Sequence, residues 1–229
     1  MEIYAISDLT FKEKKMENKL MSKTFMWMSI GLLLTFATGF LVANNQVMYE
    51  NIYTGSWYVI FIIIELALVL FLSVRVMNLQ PTTAKCCFLL YSIVSGLTFS
   101  SIFIYYQIAS LIYIFLITAS FFAILSFIGY FTQKDLTKLG TYCIAGLFVT
   151  VVISIINILL RSSMLNIIMA VVGIVLFTGI TMYDIQKLKS LANSNLPVEN
   201  LAIYGALDLY LDFINIFIEL LSIFGKRND

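Results

Sequence analysis

Four polar residues near the end of the chain, Asp208, Asp212, Asn215 and Glu219, are spaced i, i+4, i+7 and i+11. On a helix that spacing puts all four on one face. The residues between them are almost all Leu, Ile, Phe and Tyr. Asp184 ends the preceding apolar run, and Glu65 and Arg75 lie in an earlier one. An ionised side chain at the centre of a bilayer costs roughly 2.5–3.5 kcal/mol on insertion scales. Each of these charges therefore needs an aqueous cavity, a partner or a proton. Carboxylates held close together in a low dielectric tend to share a proton, which raises one apparent pKa, and a neighbouring arginine opposes that rise. The competition can place a titration near neutral pH without histidine. Arg75 bridging to the acids would close a cavity, and protonating an acid would release it, giving a two-state latch biased by pH. Arg75 reads equally well as a cation at a cytoplasmic helix end.

Histidine is absent from the 229 residues. That removes Ser-His, Cys-His and His-ligated metal mechanisms. The three cysteines, Cys86, Cys87 and Cys143, have no CxxC spacing and read as small buried hydrophobes rather than metal or redox groups. No cofactor is implied. Net charge is +1, so no basic field attracts nucleic acid.

The elements that must position the acids are membrane helices. The chain is 61% hydrophobic and 12% charged, with a mean hydropathy of +0.96. A soluble domain is nearer 45–50% and about 25%. Seven apolar runs are each long enough to cross a bilayer: 24–42, 57–77, 86–106, 108–131, 139–160, 164–183 and 201–224. The expected fold is all-α with seven transmembrane helices. Its organisation is a cytoplasmic segment 1–23, one seven-helix membrane domain 24–225 and a short tail 226–229.

Within 12–23, five lysines and two glutamates suggest a short cytoplasmic surface helix, or equally a solvated tail. Lysine and arginine alternate between connections, which puts the N-terminus in the cytoplasm. Lys226 and Arg227 break that pattern if the seventh helix crosses. On this orientation Asp208 lies roughly 12 Å and Asp212 roughly 18 Å into the membrane, on the cytoplasmic side with Arg75 and Asp184. Glu219 is placed towards the outer aqueous side. Pro81 and Pro197 stand at first-turn positions of the third and seventh helices. Ser92, Gly96 and Ser100 form a small-residue stripe suited to close helix packing.

The run Tyr183-Asp184-Ile185-Gln186-Lys187-Leu188 resembles the YD-x-Q-K motif that ends the sixth helix of the transmembrane Bax inhibitor-1 family. The run from Gly205 through Asp208, Leu209, Tyr210, Leu211 and Asp212 to Phe217 resembles that family's seventh-helix signature. The resemblance implies six helices in two layers around a central seventh. It implies a pH-sensitive calcium leak, with Asp184 and Asp212 as a paired-aspartate sensor and Arg75 as the latch. Glu65, like Arg75, fits the family by its placement on the second helix, as an acid on the route. Asp208 and Asn215, read from the stripe and not from the resemblance, would line that route, and Asp208 departs from the family's shared functional acids and would add a third carboxylate to the pair. Asp184, Asp208 and Asp212 would offer transient oxygen contacts to calcium, a hard cation.

Three functional classes follow. The first is a calcium leak channel or transporter, with the lipid bilayer, calcium and protons as its only necessary partners. The second is a non-conducting interaction protein regulating a membrane protease or cell-stress partner through the lysine-rich N-terminus. The third is a paired-aspartate membrane hydrolase. The absence of a GxGD-like sequence disfavours it, and the protein is read as a non-enzyme. The Ile-, Asn- and Lys-rich usage suggests a bacterial plasma membrane.

Overall fold

The computed structural model describes residues 2–53 and 57–228, with side chains from residue 11 onward. Residue 1 of the expected N-terminal segment and residue 229 of the expected tail lie outside the described residues. The described chain is all-helical. Its elements are α1 (Glu2–Ala43), α2 (Gln46–Tyr53), α3 (Trp57–Arg75), a 3-10 turn (Val76–Asn78), α4 (Pro81–Phe99), α5 (Ile102–Tyr105), α6 (Ile108–Phe131), α7 (Thr137–Leu160), α8 (Ser163–Leu191) and α9 (Val198–Phe224).

Six stretches among the described residues are long and apolar enough to cross a membrane: Phe11–Ala43, Trp57–Asn78, Pro81–Tyr105, Ile108–Phe131, Thr137–Leu160 and Ser163–Leu191. They coincide with the first six expected spans. The protein is an integral membrane protein. The seventh expected span corresponds to α9, whose 27 residues include Glu199, Asp208, Asp212 and Glu219. No residue of α9 from Val198 to Leu221 is exposed. By contrast, α3 and α7 turn long apolar side chains such as Leu70, Val74, Phe148 and Leu159 outward, the surface a lipid environment requires.

The 12–23 segment departs from expectation. It is helical but not a separate surface helix, because α1 runs without a break from Glu2 through the first span. Nothing in 12–43 stops it: there is no proline, and Gly31 and Gly39 sit in packed turns rather than at a cap. The cysteines divide. Cys143 is buried, Cys87 is partly buried, and Cys86 is exposed, so only Cys143 is the small core residue that its type suggested.

The chain forms two compact units: residues 1–104 with 188–210, and residues 105–187 with 211–229. In the first unit α1 packs on α4 through small residues. A Cβ at Gly96 would come within 2.7 Å of Thr35 O and of the Thr38 side chain, and Ser92 is fully buried. The small-residue stripe on α4 therefore does what its spacing suggested. Between apolar helices in lipid there is little hydrophobic drive, so close backbone approach is what gains contact. Pro81 occupies the first turn of α4. The start of α9 is pinned by Asn200, whose amide donates to Val76 O (2.6 Å) and Leu79 O (2.8 Å). Glu199, in the first turn of α9, accepts from both Lys23 and Lys85, the latter at 2.6 Å. An acid there also complements the positive end of the helix dipole.

In the second unit the aromatic core is built around Phe213, which meets Phe115 (centroids 5.2 Å apart) and Phe122 (5.7 Å). After α9 the chain turns back along the start of α6. Gln107 N donates to Lys226 O (2.9 Å), Asn228 N donates to Tyr105 O (2.9 Å), and the Arg227 guanidinium lies 5.9 Å from the Tyr106 ring centre. The end of α9 is thereby tied to the turn between the third and fourth apolar stretches.

Candidate functional site

In the second unit, Asp184 belongs to α8 and Asp212 to α9, and these helices meet at Gly173 and Glu219. A Cβ on Gly173 would come within 2.7 Å of Glu219 Oε1. The contact is made by the end of the Glu219 side chain. Asp184 is eleven residues beyond Gly173, and Asp212 is seven before Glu219. Each of those intervals returns a helix of 3.6 residues per turn to within ~20° of its starting direction. Asp184 thus shares a helical face with Gly173, and Asp212 shares one with Glu219. Asp212 is buried, with 4% of its surface exposed, and Asp184 is partly buried.

The neighbours of Asp184 show why the YD-x-Q-K run has its form. Gln186 clamps the α6–α7 connection: its Oε1 accepts from Leu136 N (2.8 Å), and its Nε2 donates to Lys134 O (2.8 Å) and Thr132 O (3.3 Å). Tyr183 covers Gly140, where a Cβ would collide with its ring. Gly129 faces the backbone at Met182, with 2.6 Å from a Cβ to that carbonyl. A glycine on α6 and another on α7 thus let α8 approach at the motif, and Gln186 fixes its height. The Gln186 clamp and the two glycine contacts are absent from the sequence reading. The spacing from Gly129 to Met182, or from Gly140 to Tyr183, carries no local pattern.

The first unit holds the other expected residues. Glu65 is partly buried on α3 and accepts from Ser95 Oγ (2.5 Å) and Thr98 Oγ1 (2.7 Å) of α4. The Tyr91 and Tyr210 hydroxyls lie within hydrogen-bonding reach of Ser95. The Tyr210 ring is fully buried and edge-on to Phe88 and Tyr91. Its hydroxyl is 2.8 Å from Thr35 Oγ1. Thr35 sends its single proton to Ser92 O (2.8 Å), so Tyr210 is the donor to Thr35. Glu65 thus sits at the end of a ladder of buried hydroxyls. The sequence signal was faint: Ser95 and Thr98 are three apart on α4, facing the helix that carries Glu65. Arg75, at the last position of α3, is exposed, and Asp208 is partly buried.

Glu219 is partly buried against Gly173, and with Asn215, Thr150, Ser154 and a larger set of apolar residues including Leu147, Ile155 and Phe177 it lines a cavity of about 330 Å³. Asn215 lines this cavity as the stripe suggested. Among the described residues, no three His, Cys, Asp or Glu side chains come together as a metal-binding group. Asp184, Asp208 and Asp212 therefore supply no ready-made calcium cage. Asp208 belongs to the first unit, whereas the other two belong to the second.

A sequence model described as "Inhibitor of apoptosis-promoting Bax1" matches residues 17–229. The chain belongs to the Bax inhibitor-1 family. Its relatives within that family include an uncharacterised protein of Borreliella burgdorferi, 38% identical over 97% of this chain and 99% of that protein. The inner membrane protein YbhL of Escherichia coli K12 is 40% identical over 90% of this chain and 91% of its own length. An uncharacterised Deinococcus radiodurans protein is 36% identical over 91% of this chain and 90% of its own. The Bax inhibitor-1 match covers the whole membrane domain, including both motif runs on α8 and α9.

Proposed function

We propose that this protein is a pH-sensitive calcium leak pathway, with Asp184 and Asp212 as its paired-aspartate sensor and Arg75 as the cation that latches the closed state. The observation that carries the reading is the burial of Asp212 on α9, with 4% of its surface exposed, together with a partly buried Asp184 on α8 of the same unit. Two carboxylates brought close in a protein interior favour sharing one proton over full ionisation. Losing the shared proton as pH rises, or gaining it as pH falls, changes the charge between α8 and α9 by one unit. That is a differential stabilisation of the kind a two-state gate needs. Glu65, Asp208 and Asn215 serve as polar groups along the route, and hard carboxylate and amide oxygens suit calcium.

The tie between Lys226–Asn228 and residues 105–107 supports α9 as a seventh crossing, because the third connection and the α8–α9 connection lie on opposite sides of a regularly threaded membrane chain. It also accounts for Lys226 and Arg227 on the side that the positive-inside rule disfavours. The N-terminus is then cytoplasmic, and the membrane is a bacterial inner membrane, as the name of the E. coli relative suggests.

The test is calcium flux in liposomes holding an internal calcium dye, with external pH stepped from about 8 to about 6, the range where a shared proton should titrate. Flux should depend on pH in the natural protein and lose that dependence in Asp184→Asn/Asp212→Asn. Unchanged pH-dependent flux in the variant would sink the sensor assignment, and absence of flux from the folded natural protein would sink the leak.

One observation favours a second reading as an interaction protein. The helix α1 continues well before the first apolar run, and Phe11, Lys12, Lys14, Lys15 and Lys19 are exposed on it. Beside it, Lys12, Glu13 and Met16 border a cavity of about 200 Å³ with Ala192, Asn193 and Ser194. Deleting residues 1–20 should then abolish capture of a membrane partner and leave flux intact.

A further inference from the structure

We propose that the groove between α7 and α8 holds one membrane phospholipid, with its phosphodiester at the α7–α8 turn and an acyl chain laid along α7. The turn supplies the headgroup end. Arg161, Ser163 and Asn166 line a cavity of about 530 Å³ there, together with Ser154, Asn157 and Ile158. Arg161 is the only lysine or arginine in 44–56, 106–107 and 161–162, the three connections on this side of a regularly threaded chain. It is exposed, and among the described residues its guanidinium makes no ion pair and no hydrogen bond. Its backbone stands at φ 52°, a left-handed conformation that asparagine or glycine adopts more readily. Backbone preference therefore does not account for an arginine at this position. A guanidinium with its N–H groups free is suited to the oxygens of a phosphate.

The neighbouring amides add donors. Ser162 N donates to Asn157 Oδ1 (3.1 Å), which turns Asn157 Nδ2 towards Asn166. Asn157 Nδ2 then donates to Asn166 Oδ1 (2.5 Å), so Asn166 has both amide hydrogens left to give. Among the described residues nothing accepts them, and no carboxylate lines this cavity. A guanidinium, a free amide NH2 and a serine hydroxyl around one space favour an anion.

The chain end follows from the adjoining cavity of about 330 Å³, which shares Ser154 and Ile158 with the first. Leu147, Val151, Ile155 and Ile158 recur at steps of four, four and three residues, so α7 offers one apolar stripe along it. From Ile158 to Leu147 the stripe is ~16 Å long, close to the ~15 Å of hydrocarbon in one leaflet. Val151, Ile155 and Ile158 are each more than half exposed, so the groove opens sideways to lipid. The polar groups deeper in it, Asn215 and Glu219, are carried by α9, and Glu219 is held against Gly173 of α8. The α7 side is left to the chain. A donor-lined turn above an apolar stripe one leaflet deep fits a phospholipid rather than a soluble anion.

The test is equilibrium binding of radiolabelled dioctanoyl phosphatidylglycerol to the full chain in maltoside detergent, with inorganic phosphate and dioctanoylglycerol as competitors. The natural protein should bind the lipid, and neither competitor at equal concentration should displace it. Arg161→Asn should bind about tenfold more weakly, as loss of charge-assisted hydrogen bonds implies. Asparagine suits φ 52°, so this variant should unfold at no lower temperature than the natural protein, which separates lost binding from lost structure. Arg161→Lys keeps the charge and should bind more tightly than Arg161→Asn. Val151→Trp, which fills the stripe, should also weaken binding. No binding by the natural protein, or equal binding by Arg161→Asn, overturns the headgroup site. Unchanged binding by Val151→Trp overturns the path of the chain. Displacement by dioctanoylglycerol would reveal a general apolar contact, and displacement by phosphate an anion site without a chain; either overturns the phospholipid.

Discussion

Glu219 on α9 rests against the bare backbone of Gly173 on α8, at a distance a single Cβ would reduce to 2.7 Å. That contact leaves the Glu219 carboxylate partly buried. Gly173→Val should therefore cost about 1–3 kcal/mol through overpacking, measured by reversible unfolding in detergent. Gly173→Val with unchanged stability would mean that the contact is not a close-packed one.

The Tyr210–Thr35 hydrogen bond joins α9 to α1 inside the first unit. Tyr210→Phe and Thr35→Val should each destabilise by about 1 kcal/mol, and the double variant should show a coupling of about 0.6 kcal/mol, the average for hydrogen bonds between membrane helices. Additive single effects in a double-mutant cycle would show that the two hydroxyls do not act together.

Gln186 satisfies three backbone groups of the α6–α7 connection. Gln186→Leu should leave Leu136 N–H without its acceptor and raise amide exchange across 132–137 by about tenfold, as loss of roughly 1.4 kcal/mol of local protection predicts. Exchange at the α3–α4 connection should not change. Because the same residue sets the height of Asp184, the pH midpoint of flux should shift in this variant as well.

Asp135 precedes α7 outside the membrane and accepts from the Thr137 hydroxyl (2.6 Å) and amide (2.9 Å). The Thr137 hydroxyl, followed by its amide, holds this carboxyl below the usual carboxylate range. A lowered folded-state pKa means that the bond is present above the ordinary value and is lost as pH falls through the lowered one. Protection of the Thr137 amide, corrected for intrinsic exchange, should therefore persist through pH 5 and fall only at more acid pH. Asp135→Ala should remove it at every pH.

The sequence by itself determined the class of molecule and the positions of its helices. Apolar runs of bilayer length have no alternative in lipid, where every backbone group must be bonded within its own segment. The stripe of Asp208, Asp212, Asn215 and Glu219 was equally legible, because helical periodicity is a property of spacing alone. Which way a stripe faces is not a property of spacing.

The Gly173 contact seats Glu219 in a cavity. Gln186 reaches fifty residues back to its acceptor and donors. Tyr210 finds a threonine 175 positions away. Small residues that look alike in an apolar run also diverge in role. Gly96 admits Thr38, Gly140 admits an aromatic ring, and Gly173 admits a carboxylate. Only the neighbour decides which, and the neighbour comes from another helix.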